Sequence, residues 1–208
     1  MVSLKKTILL ISLITFLSGA YCQDKSVKTD YLVTINTDFG KIKLILFDDT
    51  PLHKANFITL AKEGVYNHII FHRVINHFMI QSGDYTTRNQ AIDYDPRVIQ
   101  DPIKAEILPH YSHVQGAIGA ARKGANENPE MKSNSTQFYI IQNQKGAHHL
   151  DGKYTIFGQV MSGFDVVDKI AQQPTSKTDR PLESLRITVD IDVVNRSDIE
   201  KFYNFTYK

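Results

Sequence analysis

The sequence predicts a mainly β domain, a barrel or sandwich of antiparallel strands with two helical caps. Three observations carry that prediction. Tyr31, Val33 and Ile35 alternate with polar neighbours up to Asp38-Phe39-Gly40, and Ile42, Leu44 and Leu46 resume the alternation beyond that turn, as a hairpin does. Ile187, Val189, Ile191 and Val193 alternate in the same way with Thr188, Asp190 and Asp192 and predict a closing strand. Only two segments carry a helical period, and isolated helices among many strands read as caps.

With 208 residues the chain can bury one core, and one domain is expected. Residues 1–22 are set aside first. Lys5 and Lys6 precede the apolar run Ile8 to Leu17, which ends in Ser18, Gly19 and Ala20, the layout of a secretory signal peptide cleaved after Ala20 or Cys22. The run is shorter than the roughly 20 residues that span a bilayer, so no stable membrane span is expected. Lipidation at Cys22 is the weaker reading, because Tyr21 stands where such signals place a small residue. Loss of Lys5 and Lys6 takes the formal charge from +2 to 0, which gives no electrostatic argument for nucleic acid. Cys22 is the only cysteine, so no internal disulfide is available.

Residues 23–29 read as a polar linker and 30–195 as the domain. Thr50 before Pro51 is a helix start, with Thr50 expected to accept from the first turn and Pro51 at a position that needs no N–H. Ala55, Ile58, Leu60 and Ala61 give this helix a broad apolar face, up to an end near Gly64. Strands are expected at Ile69–Ile75, Phe78–Gln81, Gly116–Ala121, Phe138–Ile141 and Thr155–Gln159, and a second helix from Gly163 to Gln172 with Val166, Val167 and Ile170 inward. The connection Asp84 to Pro109 is long and irregular, which marks a functional or mobile loop. The tail 196–208, with Phe202, Tyr203, Phe205 and Tyr207, is expected to pack on the domain or fray.

The stretch Phe71-His72-Arg73 to Ser82-Gly83-Asp84 puts an arginine, an aromatic, a thioether and an amide on one short run of strand formers, an unusual mixture for a purely structural strand. Other segments extend the pattern in order along the chain: Asn56-Phe57, Phe78-Met79-Ile80-Gln81, Gln137-Phe138, Leu150-Asp151-Gly152-Lys153 and Phe157-Gly158. From Tyr31 to Val194 the chain resembles the cyclophilin family of peptidyl-prolyl cis/trans isomerases, in an exported, bacterial-like form. The resemblance implies a closed eight-stranded antiparallel β-barrel capped by two α-helices, no cofactor, and rotation about X–Pro bonds in unfolded or partly folded exported proteins. Amide resonance sets a barrier of roughly 18–20 kcal/mol to that rotation, so it takes on the order of tens of seconds unaided. No bond breaks, so the catalyst needs no nucleophile or metal. An apolar pocket that grips the proline ring and a donor aimed at the proline nitrogen are enough, because that nitrogen gains a lone pair only in the twisted amide.

By resemblance Arg73 is the donor, with Phe78 and Gln81 completing the catalytic set. Met79, Tyr139 and Leu150 fall at pocket positions, and Gln81 and Gln137 at positions that orient Arg73 or bind substrate. Ala121 and Arg122 fall on a segment that pairs with the substrate backbone as an added strand. His149 stands where many members carry tryptophan, and the chain has no Trp, so weak cyclosporin binding is expected. Tyr154 replaces a pocket-edge histidine, Asn76 a proline and Ser82 a glycine. Tyr139 stands for a phenylalanine, and its hydroxyl needs a partner if buried. The loops 84–109 and 124–132 differ from compact members and bear on substrate preference.

Other chemistries fit less well. His110, His113, His148 and His149 are read as surface histidines and no metal is expected. Ser135 and Asp151 lack a nucleophile-elbow context. Asn134-Ser135-Thr136 fits a glycan acceptor but adjoins a buried strand. The rival functional reading is a proline-binding chaperone or docking module with weak turnover. A monomer is expected.

Overall fold

The computed structural model describes residues 27–91, 94–100 and 102–207. The expected signal peptide and its cleavage points, with most of the linker, lie outside the described residues.

The strands are β1 (Thr29–Thr37), β2 (Gly40–Leu46), β3 (Ile69–Ile70), β4 (Arg73–Ile75), β5 (Met79–Ser82), β6 (Ala117–Ala120), β7 (Phe138–Ile141), β8 (Ile156–Ser162) and β9 (Arg186–Asn195). The helices are α1 (Pro51–Lys62), α2 (Phe164–Ala171) and α3 (Arg196–Tyr203). All strands join one antiparallel sheet in the order β3-β9-β1-β2-β8-β6-β7-β5-β4. The two ends of that order, β3 and β4, are neighbours in the chain, so the sheet must curl round on itself.

Nine strands replace the expected eight because the segment Ile69–Ile75 changes partner partway. Its first half pairs with β9 and ends with the Phe71 N–H donating to Leu185 O at 3.0 Å. Its second half pairs with β5 and begins with the His72 N–H donating to Gln81 O at 3.1 Å. Among the described residues no ladder joins β3 to β4; the chain itself spans the gap.

Alternation sorts the side chains as the pleat requires. Ile35, Ile42, Leu44, Val74, Ile80, Ile118 and Ile140 point into one continuous core, which also receives Phe57 and Leu60 of α1 and Val166, Val167 and Ile170 of α2. Each such aliphatic or aromatic side chain contributes about 1.5–3 kcal/mol by leaving water.

Two expectations are corrected. Thr50 does not cap α1, since its hydroxyl donates backward to Phe47 O at 3.2 Å. The cap comes from the long loop: Glu106 accepts from the N–H groups of Leu52 and His53, at 3.0 Å each, and pairs with His53 Nδ1 at 2.6 Å. A carboxylate at the positive end of the helix dipole does this better than a hydroxyl. A third helix, α3, also exists where only a tail was expected. Ile199 is buried against Leu32 and Ile45, with Tyr203, Phe205 and Tyr207 around it. Arg196 opens α3 by bonding Asp48 and lying over the Tyr207 ring.

The described parts of the loop between β5 and β6 carry local structure of their own. Short 3-10 turns at Tyr85–Thr87 and Pro96–Val98 are capped by Asp84 and Asp95. Ile103 and Ser133 exchange both backbone hydrogen bonds, at 2.9 and 2.8 Å, which ties this loop to the one at 124–132.

Candidate active site

Four neighbouring strands present one row of residues to the face opposite the core. Arg73 on β4 is opposite Gln81 on β5, Gln81 opposite Tyr139 on β7, and Tyr139 opposite Gly119 on β6. Met79, two residues before Gln81, shares that face. The same period of two that fills the core with Val74, Ile80 and Ile140 therefore delivers the arginine, the amide and the ring to the other side.

These residues line a groove of about 410 Å³, within the range of ordinary ligand sites. Arg73, Phe78, Met79, Gln81, Ala121, Arg122, Gln137, Tyr139, Leu150 and Tyr154 all contribute to its wall, as do Lys123 and Asn134, which the sequence reading did not assign to the site. His149 is the one expected site residue outside it. It is exposed at the rim, where its ring centroid lies 5.5 Å from that of Phe78.

Arg73 is half-exposed at the groove edge. Its Nε faces Asp179 Oδ2 at 3.4 Å, while the Asp179 carbonyl accepts from the Val74 N–H at 2.8 Å. Asp179, in the turn before β9, thus holds both the backbone of β4 and the inner nitrogen of the guanidinium. An exposed pair of this length contributes little stability, but it occupies Nε, and among the described residues no hydrogen bond engages the terminal nitrogens. Gln81, expected at a position that orients Arg73 or binds substrate, donates through its amide to Gln137 Oε1 at 3.0 Å, so the two glutamines hold each other beside Arg73, and the guanidinium has Asp179 as an unforeseen partner.

Tyr139 has the partner its hydroxyl required. Its ring lies across β6, where a Cβ on Gly119 would come within 2.2 Å of Tyr139 Cζ, so only glycine leaves room. The hydroxyl lies 2.9 Å from His113 Nε2. Asp151 Oδ1 accepts from His113 Nδ1 at 2.6 Å and from the His113 N–H at 2.7 Å. With Nδ1–H given to the carboxylate, Nε2 is the acceptor and Tyr139 donates, a tautomer assigned from the network. Burial holds the His113 imidazole below its usual range, against the pull of Asp151. Asp151, despite its own desolvation, sits well below the usual carboxylate range because it accepts from His113 and His148.

His113 is therefore not the surface histidine expected from sequence but a fully buried link between the Tyr139 ring and the Leu150-Asp151 turn, the two walls of the pocket. Among the described residues no group of three or more His, Cys, Asp or Glu side chains could hold a metal, and no helix is long and apolar enough to cross a membrane.

The two residues expected to pair with a substrate strand differ in their backbone bonding. Ala121 has both backbone groups engaged, its N–H with Gln137 O at 3.0 Å and its C=O with the Asn134 N–H at 2.8 Å. The backbone of Arg122 is unengaged among the described residues and is the open pairing position. Next to Phe78, Met79, Leu150 and the Tyr139 face, the groove thus offers an apolar socket, a guanidinium at its edge and a free backbone segment.

Comparison with known proteins agrees with this arrangement. A family model described as cyclophilin type peptidyl-prolyl cis-trans isomerase/CLD matches residues 32–190. The isomerase ppi1 of Schizosaccharomyces pombe is 38% identical over 157 residues, covering 74% of this chain and 94% of that protein. The peptidyl-prolyl cis-trans isomerase-like 2 of Rhizopus delemar is 38% identical over 165 residues, 78% of this chain, but the chain spans only 29% of that longer protein. A crystal structure of a cyclophilin type isomerase from Cryptosporidium parvum superposes with a TM-score of 0.67 at 28% identity, covering 79% of this chain and 98% of its own. With the model spanning most of the sequence and the fold shared, the chain belongs to the cyclophilin-type peptidyl-prolyl cis-trans isomerase family.

Proposed function

We propose that this protein accelerates cis/trans rotation about X–Pro bonds in exported polypeptides and so assists their folding. The observation that carries the reading is the single row Arg73-Gln81-Tyr139 beside the Phe78, Met79 and Leu150 socket. In this reading the proline ring enters the socket, where loss of water disfavours the charge-separated planar amide. The free guanidinium nitrogens of Arg73 donate to the proline nitrogen as its lone pair develops. Gln137 and the Arg122 backbone hold the rest of the chain, so the protein reads little of the substrate sequence through its backbone. The C. parvum relative has also been crystallised in the presence of the dipeptide Ala-Pro, a ligand of the chemistry proposed here. The same reading takes β3 and β4 as one interrupted strand, which makes the sheet an eight-stranded barrel with the groove on its outer face. Residues 1–22 supply the export signal, and the mature protein acts as a monomer.

The test is the rate of cis-to-trans conversion of a short X–Pro peptide with the wild type and with Arg73→Ala. Loss of two to three orders of magnitude in kcat/KM, with peptide binding kept, places Arg73 in the transition state. Equal rates for both at the uncatalysed level would refute the enzyme reading, and binding without turnover in the wild type would favour a docking module. Mass spectrometry of the secreted mature N-terminus tests export and cleavage.

A further inference from the structure

The groove is electrostatically one-sided. Arg73, Arg122 and Lys123 line it, and among the described residues no carboxylate does. Two of these cations are already committed. Arg73 pairs with Asp179, and Lys123 is a largely exposed chain with Glu127 at 4.0 Å.

Arg122 is different. Its Nε donates to Lys153 O and its Nη1 to Lys123 O, each at 2.9 Å. Its guanidinium lies over the Tyr154 ring, 4.6 Å from the centroid. Two carbonyls and an aromatic face stabilise the cation without neutralising it, and they fix its rotamer before any ligand arrives. None of these contacts is a carboxylate, and among the described residues Nη2 has no hydrogen-bond partner. Since the Arg122 backbone is also unengaged, a peptide paired there would pass directly beside a fixed, unneutralised guanidinium.

We propose that the groove selects proline peptides that carry an anionic side chain close to the proline, the carboxylate of Glu or Asp or the phosphate of a phosphorylated Ser, with Arg122 as the specificity-determining residue and Lys123 as auxiliary charge. The proposal rests on the isomerase reading for the presence of a proline peptide in this groove. Arg is suited to the task because its planar fork meets two oxygens at once. It also explains why Tyr154 stands beside the pocket, since a histidine would give the guanidinium a poorer surface to lie on and a charge of its own at low pH.

The test uses short Ala-Pro peptides in which one neighbouring residue, at successive positions on either side of the proline, is Glu, phosphoserine, Gln or Lys. Affinity is read by fluorescence anisotropy and turnover by exchange NMR. At one or more positions the Glu or phosphoserine peptide should bind about tenfold tighter than Gln, or ~1.4 kcal/mol. Lys should bind more weakly than Gln. The advantage should shrink several-fold in about 0.5 M salt. The order of Glu and phosphoserine identifies which anion the groove is built for.

In Arg122→Gln the Glu-to-Gln ratio should fall to near one. A ratio is unaffected by a general loss of binding, and the wild-type series decides the preference even if that variant does not fold. Equal affinities for Glu, Gln and Lys at every position would overturn the proposal, and turnover of those same peptides would leave the isomerase reading standing. An anion preference in affinity without turnover supports the proposal and refutes the isomerase. Binding of none of the peptides overturns both.

Discussion

Removing the Tyr139 hydroxyl is the most direct way to ask what the buried link beneath the groove contributes. In Tyr139→Phe the ring still lies across Gly119, but His113 Nε2 loses the donor that stood at 2.9 Å. His113 has no exposed surface, so water cannot replace the lost partner. An orphaned buried acceptor costs about 1–3 kcal/mol, and a domain of this size loses about 2–4 °C in Tm per kcal/mol. Urea and thermal unfolding should therefore show a clear loss of stability with an unchanged m-value. A double-mutant cycle with His113→Leu should show coupling of about 0.5–3 kcal/mol, because the two residues share one hydrogen bond. Turnover should change far less than in Arg73→Ala, since the hydroxyl points at His113 and touches no reacting atom. A Tyr139→Phe protein as stable as the wild type, with no coupling to His113, would refute the network.

Three further outcomes follow from the same structure. Glu106→Ala removes the carboxylate that caps α1 and pairs with His53, and should cost about 1–2 kcal/mol, read as a lower denaturation midpoint, whereas Thr50→Val should cost less. Burial holds His53, His72 and His113 below the usual 6.5, so the unfolded chain takes up protons that the folded chain refuses, and stability should fall as pH drops below about 6.5, at most about 1.4 kcal/mol per pH unit for each such histidine. Asp151 adds a loss at more acid pH, because its folded carboxyl is depressed below 3.8; urea midpoints that stay level from pH 7.5 to 5 would contradict the histidine assignment. Cyclosporin should bind weakly, with His149 exposed at the rim in a chain without Trp, and a tight complex by calorimetry would overturn that expectation.

What could be read from the sequence was whatever repeats at the period of an element or sits within a contiguous motif. The β1–β2 hairpin and β9 followed from alternation, the β7 segment Phe138–Ile141 from a short run of strand formers, and Arg73, Phe78, Met79 and Gln81 came together because a hairpin keeps near residues near. What escaped depended on partners far apart in the chain. Asp179 meets Arg73 across 106 positions, Glu106 meets His53 across 53 and Asp151 meets His113 across 38, and no local pattern announces such pairs. The signal for His113 was indirect: a tyrosine expected in a buried wall must have a partner for its hydroxyl, and a histidine upstream was a candidate. Helix α3 escaped because one buried anchor, Ile199, does not make a periodic face.

The position of β9 between β3 and β1 bears on how the protein comes into being during synthesis. Its residues pair with Ile69 and Ile70 on one edge and with the full length of β1 on the other. Until residue 195 has emerged, both those earlier strands are open edges able to pair with other chains. Translation at about 5–20 residues per second leaves them exposed for many seconds, and pairings of such long range form slowly in any case. A nascent chain halted between Ile70 and Arg186 therefore carries two sticky edges and lacks the one strand that seals both, which makes β9 the segment on which its resistance to such pairing depends.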